Sequence, residues 1–359
     1  MAIAITYSFR LDIPFRWTDD AYVHGNEVFL VARETGTVTT INADDTYLVR
    51  EGQPVVILDD DDQRVALLQA EGALGNTMRT VCQFYVNVVQ LEANVDARKV
   101  DLARAADDYH RRITSLPGTV SSEDVIHALQ TLEAASDSLA IAQQQLTAAE
   151  ALTANTDLER HPQVLQAEAN ILNADLALQR TVVRAPATGY VVQRTAEVGQ
   201  RVTIGTDLLA IIPLNQIWVD ANFKEAQLSR MRIGQPVSVT ADIYGSSVTY
   251  HGHVAGLAAG SGDAFALLPP QNASGNWIKI VQRLPVRVEF DKGELQKHPL
   301  RIGLSTSVRV DTRDTSGPLL SETVRPPEPE DSTERIRIAH ANALIASIVA
   351  ANGGSPSAP

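Results

Sequence analysis

From Leu67 an apolar residue returns at every seventh position: Leu67, Leu74, Val81, Val88, Val95, Leu102 and Tyr109. An unbroken seven-residue period is the seam of a coiled coil. Its companion row, Met78, Tyr85, Glu92, Lys99, Ala106 and Ile113, is polar in the middle, so the seam is expected to be wet there. A second helical stretch carries Val125, Leu132, Leu139 and Leu146, with Ala128, Ala135, Ala142 and Ala149 three residues on. Leu alternating with Ala lets two helices approach closely. The frame slips over 153–162 and resumes as Val164, Ala167, Ile171, Ala174 and Leu178, with Pro162 suited to the first turn of a restarted helix. Two arms of similar length, 62–113 and 122–180, joined through Ser115-Leu116-Pro117-Gly118-Thr119, predict an antiparallel hairpin. Each arm would reach roughly 80 Å at 1.5 Å per residue. Ser121 with Asp124 predicts a capping box at the start of the return arm.

The hairpin interrupts a repeat. Residues 32–58 and 185–211 match without a gap at an offset of 153. Ala32, Thr35, Gly36, Val38, Ala43, Val49 and Gly52 recur as Ala185, Thr188, Gly189, Val191, Ala196, Val202 and Gly205. Val55 and Leu58 recur conservatively as Leu208 and Ile211. Each copy reads as short strands separated by two glycine turns, with Gly36 and Gly189 at the first and Gly52 and Gly205 at the second. One copy is too small to bury a core alone, so the two are expected to pair across the hairpin.

Beyond Pro213 apolar and polar residues alternate in six short runs: Ile217–Asp220, Val237–Ala241, Val248–Ala255, Ile278–Val281, Val286–Phe290 and Ser307–Asp311. Turn residues separate them, which predicts a small antiparallel barrel or sandwich. Residues 317–333 read as a proline-rich linker, 336–349 as a short amphipathic helix, and the tail after Asn352 as disordered. The expected boundaries are 1–16 for a leader, 17–60 plus 181–215 for the module in two halves, 61–180 for the hairpin with its tip at 112–122, 216–315 for the barrel, and 316–359 for the remainder.

Composition narrows the function. The net charge of −13 argues against nucleic acid, whose phosphates need a cationic face. Aromatic residues at only 5% in an Ala- and Leu-rich chain fit long helices better than one large core. A single cysteine, Cys82, excludes an intrachain disulfide and any cysteine-rich metal site, and it lies too far in to be a lipoprotein acylation site. No run of 18 apolar residues is present, and Arg10, Asp12, Pro14 and Arg16 spoil a signal peptide or anchor in the first 16 residues.

Three blocks then carry a resemblance: Thr18-Asp19-Asp20-Ala21-Tyr22-Val23; Trp218-Val219-Asp220-Ala221-Asn222-Phe223-Lys224-Glu225; and Leu267-Leu268-Pro269-Pro270-Gln271-Asn272-Ala273-Ser274-Gly275-Asn276-Trp277, running on into Lys279 and Gln282-Arg283-Leu284-Pro285-Val286-Arg287. Arg301-Ile302-Gly303-Leu304-Ser305 closes the set. In this order, over about residues 17–312, the chain resembles the HlyD-type membrane fusion (periplasmic adaptor) family, in its EmrA-like branch. The resemblance implies an elongated mixed α and β fold: a split lipoyl-like β module interrupted by a long antiparallel coiled-coil hairpin, then a small β-barrel. It also implies a periplasmic adaptor of a tripartite multidrug efflux pump, linking an inner-membrane major-facilitator exporter to a TolC-like outer-membrane channel. Self-association as a trimer or hexamer is expected. An adaptor of protein or peptide secretion is the alternative. Such adaptors carry a membrane helix just before the Thr-Asp-Asp-Ala-Tyr segment; residues 1–16 do not supply one, so the chain is expected to be the part outside the membrane.

The half-repeats also resemble lipoyl and biotinyl carrier domains, whose acceptor lysine sits on the hairpin joining the halves. Here that place reads Asp59-Asp60-Asp61-Asp62, and the first lysine is Lys99, so no cofactor is expected. The aspartates suit the positive end of a helix dipole better than a cation site. His251-Gly252-His253 puts two imidazoles on one strand face without a third ligand, so no metal is expected. No nucleophile elbow, phosphate loop or dinucleotide fingerprint is present, and the chain is read as a non-enzyme.

Two regions remain as candidate contacts. At the hairpin tip, Arg112, Leu116 and Ser121 loosely resemble the Arg…Leu…Ser pattern by which adaptors meet the outer channel. The plainer reading is that Arg112 complements a helix end, Ser121 caps and Leu116 covers the seam. In the barrel, Asn222, Phe223 and Lys224, with Phe265, Gln271, Asn272 and Trp277, either dock an exporter or neighbouring protomer or belong to an internally packed loop.

Overall fold

Strand alternation and helix periodicity produce fourteen strands and four α-helices among the described residues of the computed structural model. Those residues are 14–116, 119–265, 281–321 and 332–352, without the side chains of 263, 265 and 332–337. In chain order they are β1 (Phe15–Gly25), β2 (Val28–Val31), β3 (Gly36–Ile41), β4 (Leu48–Val49), β5 (Pro54–Leu58), α1 (Asp61–Ile113), α2 (Ser122–Thr153), α3 (Pro162–Arg180), β6 (Val182–Arg184), β7 (Gly189–Val192), β8 (Arg201–Val202), β9 (Asp207–Ile212), β10 (Ile217–Lys224), β11 (Pro236–Ala241), β12 (Thr249–Leu257), β13 (Arg283–Phe290), β14 (Ser305–Asp311) and α4 (Ser332–Asn352). They fall into two units, residues 1–58 with 183–331 and residues 59–182 with 332–359.

Within the first unit the two half-repeats form one module. Its sheets run β2-β9-β7-β4 and β6-β5-β3-β8, so each draws strands from both copies. The symmetry reaches the backbone: Gly52 N–H donates to Ala185 O and Gly205 N–H to Ala32 O, both at 2.8 Å, while Val191 N–H meets Tyr47 O and Val38 N–H meets Gln200 O, both at 2.9 Å. The apolar repeat pairs 32/185, 38/191, 43/196, 49/202, 55/208 and 58/211 all lie in one buried core. Hydrophobic burial, not the covalent path, therefore holds together segments separated by the whole hairpin. Gly52 (φ 77°) and Gly205 (φ 89°) do occupy left-handed turns, as expected. Gly36 and Gly189 do not: both are first residues of strands, and neither has a positive φ. Gly189 is needed for contact instead, since a Cβ there would lie 2.5 Å from the Ile212 carbonyl oxygen.

A closed six-stranded barrel, β1-β10-β13-β12-β11-β14, completes this unit. Residues 17–25, assigned above to the split module, belong to the barrel: β1 pairs antiparallel with β10 and with β14. Thr18, Ala21 and Val23 are buried, and Ala21 and Val23 share a core with Ile217, Val219, Ala221 and Phe223 of β10. This strand closes the barrel because it fills the edge between β10 and β14. The expected strand 278–281 lies outside the described residues except for Val281, which is in no strand.

In the second unit α1 runs unbroken for 53 residues, and α2 and α3 return as separate helices of 32 and 19 residues. Pro162 begins α3, and His161 caps it by accepting from Gln163 N. Leu74, Val81 and Val95 of the seam are buried, as are Ala128, Ala142 and Ala149 opposite. Glu92 and Lys99 are exposed, so the seam is wet in the middle. The capping box is not formed: Ser121 accepts from Glu123 N at 3.1 Å, an ordinary N-cap. The C-terminal helix is longer than expected, 21 residues, and packs on α1 and α3 rather than standing alone. Most of the linker and the tail lie outside the described residues, at 322–331 and 353–359.

Candidate docking sites

The tip is built by helix ends. Thr114 caps α1, its hydroxyl and N–H both donating to His110 O, and Ser115 Oγ donates to Arg111 O at 2.7 Å. Arg112 Nε donates to Asp108 Oδ2 at 2.9 Å one turn back, and Nη1 donates to Asp124 O at 3.3 Å. This guanidinium therefore ties the end of α1 to the first turn of α2. Ser121 is occupied by its cap. Leu116 is different: it is 77% exposed, its carbonyl accepts from Thr119 N–H and Oγ1, and its side chain covers no seam. Ile113 and Ile126, half exposed on α1 and α2, are further apolar residues near this end of the hairpin. The heptad arithmetic could have flagged Ile126, which follows the seam residue Val125 and so points off the interface.

The barrel candidates separate more sharply. Phe223 is fully buried in the barrel core and is corrected from contact residue to core residue. Asn222 is structural as well: its Nδ2 donates to Asp20 Oδ1 at 3.2 Å, and its carbonyl accepts from Thr18 Oγ1 at 2.9 Å. Arg283 Nη1 closes this network on Asp20 Oδ2 at 2.6 Å. Trp218 Nε1 donates to Asp220 at 3.1 Å, and the Arg287 guanidinium stacks 3.8 Å from the Trp218 ring centre. The sequence blocks that carry the resemblance thus bind one another across β1, β10 and β13. Lys224 is exposed, and Gln227 accepts from its N–H while donating to the Trp17 carbonyl. Gln227 thus links the backbones of Lys224 and Trp17, and Trp17, 60% exposed, is an accessible aromatic there that nothing in the sequence singles out. Gln271, Asn272 and Trp277 lie outside the described residues, as does the side chain of Phe265.

The remaining chemistry is structural. His251 and His253 sit 3.5 and 3.4 Å from Glu294 and Asp291 respectively, on separate carboxylates. Gly252 between them lets β12 approach β13, since a Cβ there would collide with the Glu289 carbonyl. Asp59, Asp60 and Asp61 could reach one ion, but Asp60 pairs with Arg64 at 2.9 Å and Asp59 accepts from Asp61 N–H, as acidic residues do at a helix start. In the module Arg194 bridges the copies, with Asp44 at 2.8 Å and Glu197 at 3.1 Å. Asp44 titrates below the usual carboxylate range because it accepts from Asp45 N–H and from Arg194. Burial pushes the Tyr250 phenol up to about 12, its hydroxyl donating to His298 O.

A split β module, an interrupting hairpin and a closed barrel in this order define the membrane fusion protein fold. A MacA crystal structure from Actinobacillus actinomycetemcomitans shares it, with a TM-score of 0.50 at 16% identity over 82% of this chain and 80% of that one. Residues 61–181 match the EMRA alpha-helical hairpin domain and residues 216–311 the AAEA-like beta-barrel domain. The chain is 46% identical to the multidrug export protein EmrA of Escherichia coli over 98% of its own length and 91% of that protein's. It is 43% identical to the fatty acid resistance protein FarA of Neisseria gonorrhoeae over 84% of its length and 77% of that protein's. The chain belongs to the EmrA-like membrane fusion family. No helix among the described residues is long and apolar enough to cross a membrane.

Proposed function

We propose that this chain is the periplasmic adaptor of a tripartite multidrug efflux pump, joining an inner-membrane major-facilitator exporter to a TolC-like outer-membrane channel. It carries out no reaction and holds no cofactor. The observation that carries this reading is the hairpin. One arm is a continuous 53-residue helix, roughly 80 Å long, and the turn that follows it carries an uncovered leucine. Its apolar seam is satisfied internally, so the remaining faces stay wet while the tip presents Leu116 to a groove on a partner. Self-association into a ring follows, because one hairpin cannot enclose a conduit. On the barrel, Trp17 and Lys224 replace Phe223 as the contact expected for the exporter or a neighbouring protomer.

The test is Leu116→Asp in the full-length protein, with drug resistance, helicity and melting measured together. Docking predicts lost resistance with helix content and melting temperature unchanged. Resistance that survives Leu116→Asp, or falls only as the hairpin melts, moves the contact elsewhere. Normal resistance to hydrophobic drugs in cells lacking the chain, with a secreted polypeptide lost instead, would favour the secretion alternative.

A further inference from the structure

The helix α4 covers a face of the hairpin base that combines an apolar cluster with a buried carboxylate. Its middle is apolar: Leu344, Ile345, Ile348 and Val349 pack against the cluster of α1 and α3 that contains Met78 and Ile171. Polar groups flank this apolar stretch on either side. At the C-terminal end Arg79 Nη2 donates to Asn352 Oδ1 at 3.1 Å, and Asn352 lies over Gly75, a glycine in the interior of α1. On the other side of the apolar stretch is Asp175 of α3, a carboxylate only 1% exposed. Its Oδ2 accepts from Gln179 Nε2 at 2.5 Å and lies 3.2 Å from His340 Nδ1 of α4. Its Oδ1 is 3.2 Å from the same nitrogen and makes no hydrogen bond.

A buried carboxylate paired with a largely exposed imidazole adds little net stability to the docked state, and an apolar residue at 175 would serve a permanent interface better. The same carboxylate suits a face that meets water. The chain is arranged for that exchange, since α4 is tied to β14 only through residues 312–331 and its departure unpairs no strand. We propose that α4 is a releasable strap: it docks on α1 and α3 as a third helix, and the working adaptor requires it to leave. The requirement for release rests on the adaptor reading above; the docking equilibrium does not.

Two experiments on the full chain test it. In hydrogen exchange, the amides of 338–352 should open as one unit, at least about tenfold faster than those at the centre of α1. Asp175→Leu should slow that opening by about tenfold or more, the equivalent of roughly 1.4 kcal/mol. Opening of α4 together with α1, or faster opening in Asp175→Leu, overturns the proposal. The second experiment locks the strap. A Cβ at position 75 would lie 3.7 Å from Asn352 Cγ, within reach of a disulfide from Gly75→Cys and Asn352→Cys in a Cys82→Ser background. Cells expressing the oxidised pair should lose drug resistance, and reduction should restore it, while either single cysteine behaves as the background. Resistance unaffected by the lock overturns the requirement for release. Absence of resistance in the background protein itself would instead sink the adaptor reading.

Discussion

Val191 tests whether two distant segments are one folding unit. It is fully buried among residues of both copies, and its backbone is held by Tyr47 O and Thr46 N–H of the first copy, each at 2.9 Å. Val191→Ala removes two methyl groups, about 1.6 kcal/mol at roughly 0.8 kcal/mol per buried carbon. A residual cavity of ~40 Å³ adds about 1 kcal/mol at 24 cal/mol per Å³. The expected loss is therefore roughly 2.5 kcal/mol. Val191→Asp should cost more, because it strands a carboxylate in an apolar core. The informative readout is where protection is lost. Hydrogen exchange on Val191→Ala should show faster exchange at Val38, Gly52 and Val55 as well as around 191, with the α1 amides unchanged. A loss confined to 185–211, leaving 32–58 protected, would refute the shared core.

Thr46 has a φ of 74°, and its repeat partner Gly199 has 84°; a β-branched residue in the left-handed region is strained, so Thr46→Gly should stabilise the module by up to about 1 kcal/mol in urea titration. Burial and the nearby Glu159 raise the Glu168 carboxyl. A raised folded-state value favours the protonated form, so the contribution of Glu168 improves as pH falls toward its unfolded value, and Glu168→Gln should raise the hairpin's melting temperature at pH 7 and remove that dependence. Asp44 has the opposite sign. Its lowered value stabilises the module above the ordinary carboxylate range and is lost as pH falls through the folded value; Arg194→Gln should flatten that acid limb of the melting curve. Phe223→Ala should cost about 3–5 kcal/mol, whereas Trp17→Ala should leave stability nearly unchanged and reduce complex formation with the exporter in pull-downs.

Much of this architecture is legible in the chain because repetition is legible. Val38 and Val191 announce a shared core by matching at a fixed offset, and the heptad from Leu67 announces the hairpin. Adjacency in sequence misled at β1, which precedes the module but belongs to the barrel, since the edge that accepts it is made by strands found only after the hairpin. Phe223 was readable: strict alternation places it on the same face as Ile217, Val219 and Ala221, and reading it as a contact set motif resemblance above that period. The burial of Asp175 under α4 was not readable, although the helix itself was, because a carboxylate one turn beyond Ile171 looks solvated until a helix from the far end of the chain covers it. At the tip, the family resemblance suggested three contact residues, but helix-end hydrogen bonding employs Arg112 and Ser121 and leaves Leu116.

The adaptor reading turns on what Leu116 touches in the assembled pump. A photo-crosslinking amino acid placed at position 116, with Leu152 of the same hairpin as the exposed comparison position, reports this directly in drug-exporting cells. Docking through the tip predicts an adduct between position 116 and the outer-membrane channel and none from position 152. Drug export that proceeds normally while position 116 forms no adduct with an outer-membrane protein would contradict it.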